Sequence, residues 1–204
     1  MIKNSSGQIL DLFDNSEIEF LCSILNKLPD APNSQGQFHA YTNGFQSNSL
    51  IYPAIKKLVV SKLEKYLDVT FTHVEGMLLK ESKPWLIHTD YNKKDFCVDL
   101  AILIPLNATL INTHTVVFNE ESTDSFEQFC MNNKPLDYNA KELHNTLCSH
   151  ESIEHLEYVS LKEAYQWIPG SIIYWGGKLL HSSDNFLANG LTDKQALVFF
   201  TTIN

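Results

Sequence analysis

Residues 167–182 read WIPGSIIYWGGKLLHS, and this stretch decides the predicted fold of the chain. Pro169-Gly170 and Gly176-Gly177 are turn signals, because proline and glycine interrupt regular structure. The two apolar runs that follow these turns have the length of β-strands. The stretch therefore predicts two consecutive strands, at residues 171–175 and 178–182.

Short segments of the same kind continue in both directions from this stretch. Further strands are predicted at residues 69–80, 85–91, 96–106, 113–119, 158–161 (leading on to 167–168) and 195–202. Two helices precede them: one opens with a capping box at Ser16 to Glu19 and ends at Pro29, and the other runs from about Ser49 to Leu67. Two helices followed by about eight strands predict an α+β domain whose strands form a sandwich or barrel.

The length of 204 residues fits a single domain, 1–204. Residues 1–68 are expected to form a helical support, and residues 69–203 the barrel. The barrel sequence is interrupted at about 120–155 by polar residues with weak helical periodicity. We expect this segment to be a helical insertion.

The charge of the chain argues against nucleic acid as a partner. The net charge is −9, and all 15 positive side chains are lysines, which occur at most in pairs. Binding to phosphates needs a basic surface, and arginine is the usual bidentate reader of phosphate and guanine. Neither feature is present in the sequence.

No signal peptide and no apolar run long enough to cross a bilayer is visible. The four cysteines form no C-x-x-C pair, so free thiols are expected rather than disulfides. These features predict a cytoplasmic protein with no membrane partner. The sequence does not indicate an oligomeric state.

Three His-x-acid triplets are candidate metal-binding motifs, at His73 to Glu75, His88 to Asp90 and His155 to Glu157. With 8 histidines and 24 acidic residues in 204 positions, about one such triplet is expected by chance. Two imidazoles and one carboxylate can occupy one face of a metal ion and leave the other positions open, which suits a non-haem Fe(II). The sequence around each triplet therefore has to indicate which of the three binds a metal.

The surroundings of His88-Thr89-Asp90 are the most favourable of the three. It ends an apolar strand and precedes a polar loop, where ligands are often held. The triplet at His155 lies too close to His181 for strands to cross a barrel and return, and it reads as part of a solvated helical insertion. The triplet at His73 lies inside a strand, and the polar face of a strand explains it. Together with His181, the sequence predicts a site made of His88, Asp90 and His181.

In this arrangement the chain resembles the Fe(II)- and 2-oxoglutarate-dependent dioxygenases, in particular the prolyl-hydroxylase-like and phytanoyl-CoA-hydroxylase-like branches. Those families carry H-x-D, a distal histidine, and a basic residue 10 to 15 positions later that opens the last core strand. Here Lys194 stands at that place, before Gln195 to Phe200. The Pro-Gly turn and apolar strand at 167–175, and the strand at 101–107, also resemble the family.

This resemblance implies a double-stranded β-helix (a jelly-roll, cupin-like barrel) with supporting N-terminal helices and a helical insertion. It implies a hydroxylase that uses Fe(II), 2-oxoglutarate as co-substrate and O2, with Lys194 pairing the 5-carboxylate of 2-oxoglutarate. Halogenating members replace the carboxylate ligand with a small residue, so Asp90 favours hydroxylation.

The family usually has arginine where this chain has Lys194, and lysine forms no bidentate fork. A solvent-exposed lysine at a strand end is the alternative. Other candidates for co-substrate contact are Met77, Leu79, Leu103 and Thr115.

The sequence leaves the substrate open between a peptidyl side chain and a small metabolite. Candidate substrate residues lie in the loops at 36–48 and 91–95, namely His39, Tyr41 and Tyr91. These loops and the insertion are either lids or ordinary connections. The alternative function is a cupin-like metal- or ligand-binding protein that does not use 2-oxoglutarate and has no need of a cation at Lys194.

Overall fold

The computed structural model describes residues 2–25, 40–45, 54, 56–92, 96–107, 112–136 and 138–204. The strands in these ranges are β1 (Ser6–Ile9), β2 (Ala40–Phe45), β3 (Phe71–Glu81), β4 (Leu100–Pro105), β5 (His114–Glu121), β6 (Leu161–Gln166), β7 (Ile172–Gly176), β8 (Leu179–Ser183) and β9 (Lys194–Ile203). The helices are α1 (Asn15–Leu25), α2 (Ser61–Leu67), α3 (Phe126–Asn132), α4 (Ala140–Thr146) and α5 (Ile153–Leu156). A π-helical turn at Lys56–Val60 leads directly into α2.

The strands form two antiparallel sheets that face each other. The large sheet has the order β1-β7-β4-β9-β3-β2, and the small sheet has the order β6-β5-β8. One buried cluster joins their inner faces, since Val117 and Leu179 of the small sheet pack with Leu103 and Val198 of the large sheet. The chain passes from the large sheet to the small one and back between β7, β8 and β9. This architecture is a double-stranded β-helix, which confirms the predicted fold class.

Strand β4 is the centre of the molecule, and all six of its residues are buried. Leu100, Ile102 and Ile104 point to a cluster that includes residues of α1 and α2. Ala101 and Leu103 point to the cluster between the two sheets. Successive side chains of a strand face opposite sides, so a strand buried on both sides must be apolar throughout. Helices on one face and the small sheet on the other therefore account for the continuous apolar run in the sequence.

The first helix begins earlier than the sequence predicts. Asp14 Oδ1 accepts from the backbone N–H of Glu17 (2.9 Å), and Glu17 Oε2 accepts from the backbone N–H of Asp14 (3.0 Å). This reciprocal pair is a capping box. The capping box predicted at Ser16 to Glu19 is therefore displaced by two residues. Ser16 instead donates to Asp14 Oδ1, an additional contact at the same helix start.

Three other elements differ from the predictions. The strand predicted at 85–91 is absent apart from an isolated bridge between His88 and His181. The strand predicted at 158–161 begins where that range ends, as β6. Residues 1–68 supply strands as well as helices, because β1 pairs with β7 and β2 pairs with β3 at the two edges of the large sheet. An edge strand pairs on one side only, so the apolar pattern that marks a central strand is weaker there.

The predicted helical insertion lies between β5 and β6 and contains α3, α4 and α5. Their N-terminal caps are the side chains of Ser125, Asn139 and Ser152. The helices pack on the outer face of the small sheet, in one cluster with Val116 and Leu180. Across the described part of the chain, every helix is too short or too polar to cross a membrane.

Candidate metal centre and its cavity

His88 and His181 are joined through the backbone. The N–H of each donates to the carbonyl of the other at 3.0 Å, and their ring centroids lie 4.2 Å apart. Asp90 follows two residues after His88, so its carboxylate reaches the same side. One potential ligand atom from each of the three side chains lies within 4.8 Å of the other two. The structure therefore brings together His88, Asp90 and His181.

The two imidazoles are oriented for metal binding. His88 Nδ1 lies 2.7 Å from the Leu86 carbonyl, and His181 Nδ1 lies 3.0 Å from the Leu179 carbonyl. A carbonyl oxygen only accepts, so in both rings the proton is on Nδ1 and the lone pair is on Nε2. Metal-binding histidines commonly have this second hydrogen bond. The donor set of two Nε2 atoms and one carboxylate thus fits Fe(II).

The carboxylate of Asp90 is buried and held from two sides. Its Oδ2 accepts from Trp175 Nε1 at 3.3 Å and lies 3.2 Å from His181 Nε2. Asp90 and His181 are only 5% and 4% exposed, whereas His88 is half-buried. The centre is therefore reached from the side of His88.

Thr89, the middle residue of the triplet, anchors it to the turn between β7 and β8 and to the end of β5. Its Oγ1 donates to the Gly177 carbonyl at 2.7 Å and lies 3.2 Å from the Ser122 carbonyl. Gly177 is in the turn between β7 and β8, and a Cβ there would lie 2.1 Å from the Val98 carbonyl oxygen. Only glycine allows this close approach. The Gly176-Gly177 turn, which the sequence predicted, thus supports the metal centre through Thr89.

The insertion holds the segment that leads into the triplet. Glu151 Oε1 accepts from the backbone N–H of Ile87 (2.5 Å), and His150 Nε2 lies 3.1 Å from the Trp85 carbonyl. Glu151 is buried, at 4% exposure. No motif in the sequence indicates this role, because the contact joins residues 64 positions apart. None of the described insertion residues lines the cavity, so the structure lends no support to this segment as a lid.

A cavity of about 300 Å³ extends from the metal centre between the two sheets. Met77, Leu79, Leu103 and Thr115 all line it, as the sequence predicted for inward positions. The remaining lining residues are Glu81, Trp85, His88, Thr89, Asp90, Trp167, Trp175, His181, Ser182, Ser183, Val198 and Phe200. The polar members include the cluster of His88, Asp90 and His181 and also Ser183, which follows His181 on β8 and donates to Glu81.

Lys194 is completely buried beside the cavity residues Trp167 and Glu81, which excludes a solvent-exposed strand-end lysine. Its Nζ donates to Asp184 Oδ1 (2.9 Å) and to the His114 carbonyl (2.6 Å), and lies 4.4 Å from the centre of the Trp167 ring. Burial lowers the pKa of Lys194, and the negative charge of Asp184 opposes that effect. Lys194 is behind the lining residues rather than among them.

Asp184 is the partner that balances this buried cation. Burial disfavours its charge, but hydrogen bonds from His114, Lys194 and Thr113 together with the Lys194 charge outweigh burial and lower its pKa. Asp184 is therefore ionised at neutral pH. The pair of Lys194 and Asp184 carries no net charge.

Glu81 is a cavity residue that sequence reasoning missed. It is 3% exposed, and Ser183 Oγ donates to its Oε2 at 3.2 Å. Burial raises its pKa to about 7, although the charge of Lys194 opposes this. Within β3 it follows Met77 and Leu79 at a spacing of two, which is the signal that would have placed it on the inner face.

The predicted substrate residues receive less support. Tyr91 does not line the cavity, and its ring lies 4.9 Å from Lys178 Nζ. Tyr41 lies in β2, opposite Lys80. His39 lies outside the described residues, as does most of the loop predicted at 36–48.

The two other triplets do not form metal groups in the described chain. His73 and Glu75 are exposed on β3. His155 is exposed, and its Nδ1 lies 3.5 Å from Glu151 Oε2. The cluster of His88, Asp90 and His181 is the single group of three or more such ligands that the described residues bring together.

No protein-family model matches the chain, and no curated protein matches it by sequence. Solved structures do match. A prolyl-4-hydroxylase from Pseudomonas putida has a TM-score of 0.60 at 9% identity, with 98% of this chain and 94% of that chain covered. An oxidoreductase of the 2OG-Fe(II) oxygenase family from Burkholderia pseudomallei has a TM-score of 0.55 at 10% identity, with coverages of 97% and 84%.

A third similar structure is HygX from Streptomyces hygroscopicus with nickel and 2-oxoglutarate bound. Its TM-score is 0.56 at 15% identity, and the match covers 97% of this chain and 82% of HygX. These likenesses confirm, at the level of the fold, the resemblance noted in the sequence. The chain has the double-stranded β-helix fold of the Fe(II)- and 2-oxoglutarate-dependent oxygenases.

Proposed function

We propose that this protein is an Fe(II)- and 2-oxoglutarate-dependent oxygenase. The observation that carries the proposal is the pair of imidazoles whose Nδ1 atoms bind backbone carbonyls, so that both Nε2 lone pairs and Asp90 are available to one ion. A bound Fe(II), with 2-oxoglutarate and O2, would supply the oxidising power for the reaction. The 2-oxoglutarate would be converted to succinate and CO2.

The chain itself supplies orientation and a dry pocket. Trp175 fixes the carboxylate of Asp90 through its Nε1–H. The apolar walls formed by Leu79, Leu103 and Val198 keep water away from the reacting groups. His88 and Trp85 line the more open side, and we assign that side to the entry of the substrate.

The 2-oxoglutarate would extend from the metal centre towards Ser183, Thr115 and Trp167. We propose that Lys194 contributes the positive charge at this end. Because Asp184 already pairs with Lys194, this end of the cavity offers the positive pole of an ion pair rather than a full cation. That pairing is also the observation that favours the second candidate, a cupin-like metal- or ligand-binding protein without 2-oxoglutarate.

We propose hydroxylation of a peptidyl side chain or a small metabolite. The similar structures include a prolyl-4-hydroxylase, and also an α-ketoglutarate-dependent carbocyclase from nogalamycin biosynthesis. The cavity of about 300 Å³ has room for the co-substrate and for one side chain or part of a small molecule.

Anaerobic addition of Fe(II) and 2-oxoglutarate to the metal-free protein tests the proposal. The expected result is a visible absorption band of the chelate, which is lost in His181→Ala and weakened in Lys194→Ala. His155→Ala is the matched control, because His155 is exposed and outside the cluster. Absence of a band with the wild-type protein, in the presence of measurable Fe(II) binding, would favour the second candidate.

A further inference from the structure

Glu81 occupies the end of the cavity where the proposed co-substrate would place its distal carboxylate. Ser183, which donates to Glu81, lies two residues after His181 on the same face of β8. Two residues of a strand span about 7 Å. The carbon chain of 2-oxoglutarate, four C–C bonds long, spans about 5 Å when extended. Glu81 and Ser183 therefore lie about one co-substrate length from the metal centre.

The charges at this end of the cavity determine which protonation state of Glu81 is compatible with a second carboxylate beside it. Glu81 is opposite Lys194 in the register of β3 and β9. Lys194 is already neutralised by Asp184 at 2.9 Å. An ionised Glu81 would thus leave a net negative charge, and an incoming carboxylate would be repelled. Two carboxylates that share a site hold one proton between them, because like charges at that distance cannot both ionise.

The other titratable groups near Glu81 surround the pair of Lys194 and Asp184. Asp184 follows β8 and contacts His114 of β5, and His150 of the insertion lies within electrostatic reach of the same pair. Burial lowers the pKa of His150, so it carries little charge at neutral pH. The charge of Lys194 lowers the pKa of Glu81, but burial outweighs it and raises the Glu81 pKa to about 7.

We propose that Glu81 binds the distal carboxylate of 2-oxoglutarate as a neutral carboxylic acid that donates a hydrogen bond, so that co-substrate binding takes up a proton. The inference rests on the proposed function and adds a specificity residue to it. A neutral acid and an ion pair together make a site with donors for one carboxylate and no excess charge. Ser183 would keep its bond to Glu81 and position the acid.

Calorimetric titration of 2-oxoglutarate into protein loaded with Ni(II) tests this inference without turnover. Experiments in two buffers with different ionisation enthalpies give the number of protons taken up. The wild-type protein is expected to take up about one proton at pH 8 and few at pH 6, because its free carboxyl titrates near pH 7. Its Kd should rise about tenfold per pH unit above 7.

Glu81→Gln keeps a donor and cannot titrate, so its Kd should be nearly independent of pH and its proton uptake at pH 8 about one proton lower than in the wild type. Glu75→Gln, on the exposed part of the same strand, is the control and should behave like the wild type. Pyruvate, which chelates in the same way but has no distal carboxylate, should show no difference between the wild type and Glu81→Gln.

Equal proton uptake by the wild type and Glu81→Gln would overturn the inference. If Glu81→Gln does not fold, a wild-type Kd that stays constant between pH 6 and pH 8 would overturn it alone. An absence of 2-oxoglutarate binding by the metal-loaded wild type would refute the proposed function itself. Failure of the proposed function can thus be distinguished from failure of the inference about Glu81, because it is seen as a loss of binding in the wild-type protein itself.

Discussion

His88 and His181 exchange both of their backbone hydrogen bonds, each at 3.0 Å, although the segment around His88 forms no regular strand. This backbone pair therefore holds the two imidazoles close together. The carbonyls of Leu86 and Leu179, which bind the Nδ1 atoms, fix the rings in the same way. The site is preorganised, so little ordering opposes metal binding.

This preorganisation predicts a clear thermal signature. A divalent metal at a hundred times its Kd should stabilise the wild-type protein by about 2.7 kcal/mol, because the unfolded chain lacks the site. His181→Ala should lose this stabilisation and keep its backbone pair with His88. Melting curves with and without metal give the measurement, and His144→Ala, a half-buried histidine outside the cluster, should respond to metal as the wild type does.

Thr89 is expected to support the metal centre without binding the metal. Thr89→Val keeps the shape of the side chain and removes the donor to the Gly177 carbonyl. Loss of one buried partner costs about 1–3 kcal/mol, and loss of an outer contact typically weakens metal affinity about 10- to 100-fold. Chemical unfolding and metal competition measure the two effects. Thr72→Val, whose hydroxyl is exposed, should change neither.

Glu151 is expected to position the triplet from the insertion. Glu151→Ala leaves the buried N–H of Ile87 without this acceptor, so metal affinity should fall and the free energy of unfolding should drop by about 1–3 kcal/mol. Glu151→Gln retains an oxygen acceptor and should restore most of the metal affinity. Glu154→Ala, exposed on α5, is the control. Equal metal affinity in Glu151→Ala and the wild type would contradict this role.

The pair of Lys194 and Asp184 should show strong coupling. Lys194→Met leaves a buried carboxylate without its cation and should cost about 3–5 kcal/mol of stability. The double variant Lys194→Met with Asp184→Asn should recover a large part of that loss. The half-exposed pair of Lys3 and Asp99 is the comparison, and Lys3→Met should cost about 0–1 kcal/mol. A double-mutant cycle by urea unfolding gives the coupling energy.

Glu81 should make the stability of the metal-free protein fall between pH 4.5 and pH 7. Its pKa is about 7 in the folded protein and near 4.5 when unfolded, so the folded state binds the proton more tightly. The stabilisation is complete below pH 4.5 and is lost as the pH rises through 7, with a total on the order of 3 kcal/mol. Urea unfolding at pH 5 and pH 7.5 should show this loss in the wild type and not in Glu81→Gln. Asp184 acts only below its ordinary pKa of 3.8, outside this window.

Local signals in the sequence predicted most of the fold. The turns at Pro169-Gly170 and Gly176-Gly177 separate strands. They could be predicted because proline and glycine affect the backbone only within a few residues of their own positions. Gly170 has a φ of +86°, a conformation that side chains disfavour. The uninterrupted apolar run of β4 likewise indicated a strand buried on both faces. Edge strands such as β1 escaped prediction because solvent on one side weakens the pattern.

The sequence by itself determined the candidate ligands and their order along the chain. The H-x-D motif, the distal histidine and the basic residue that opens the last strand can all be recognised from their spacing along one chain. Only the tertiary structure decided how His88 meets His181, because their cross-strand bridge depends on sheet topology. It also decided that Lys194 is buried against Asp184 and that Glu81 shares its end of the cavity. Register and burial set those charges, and neither can be read from the sequence alone.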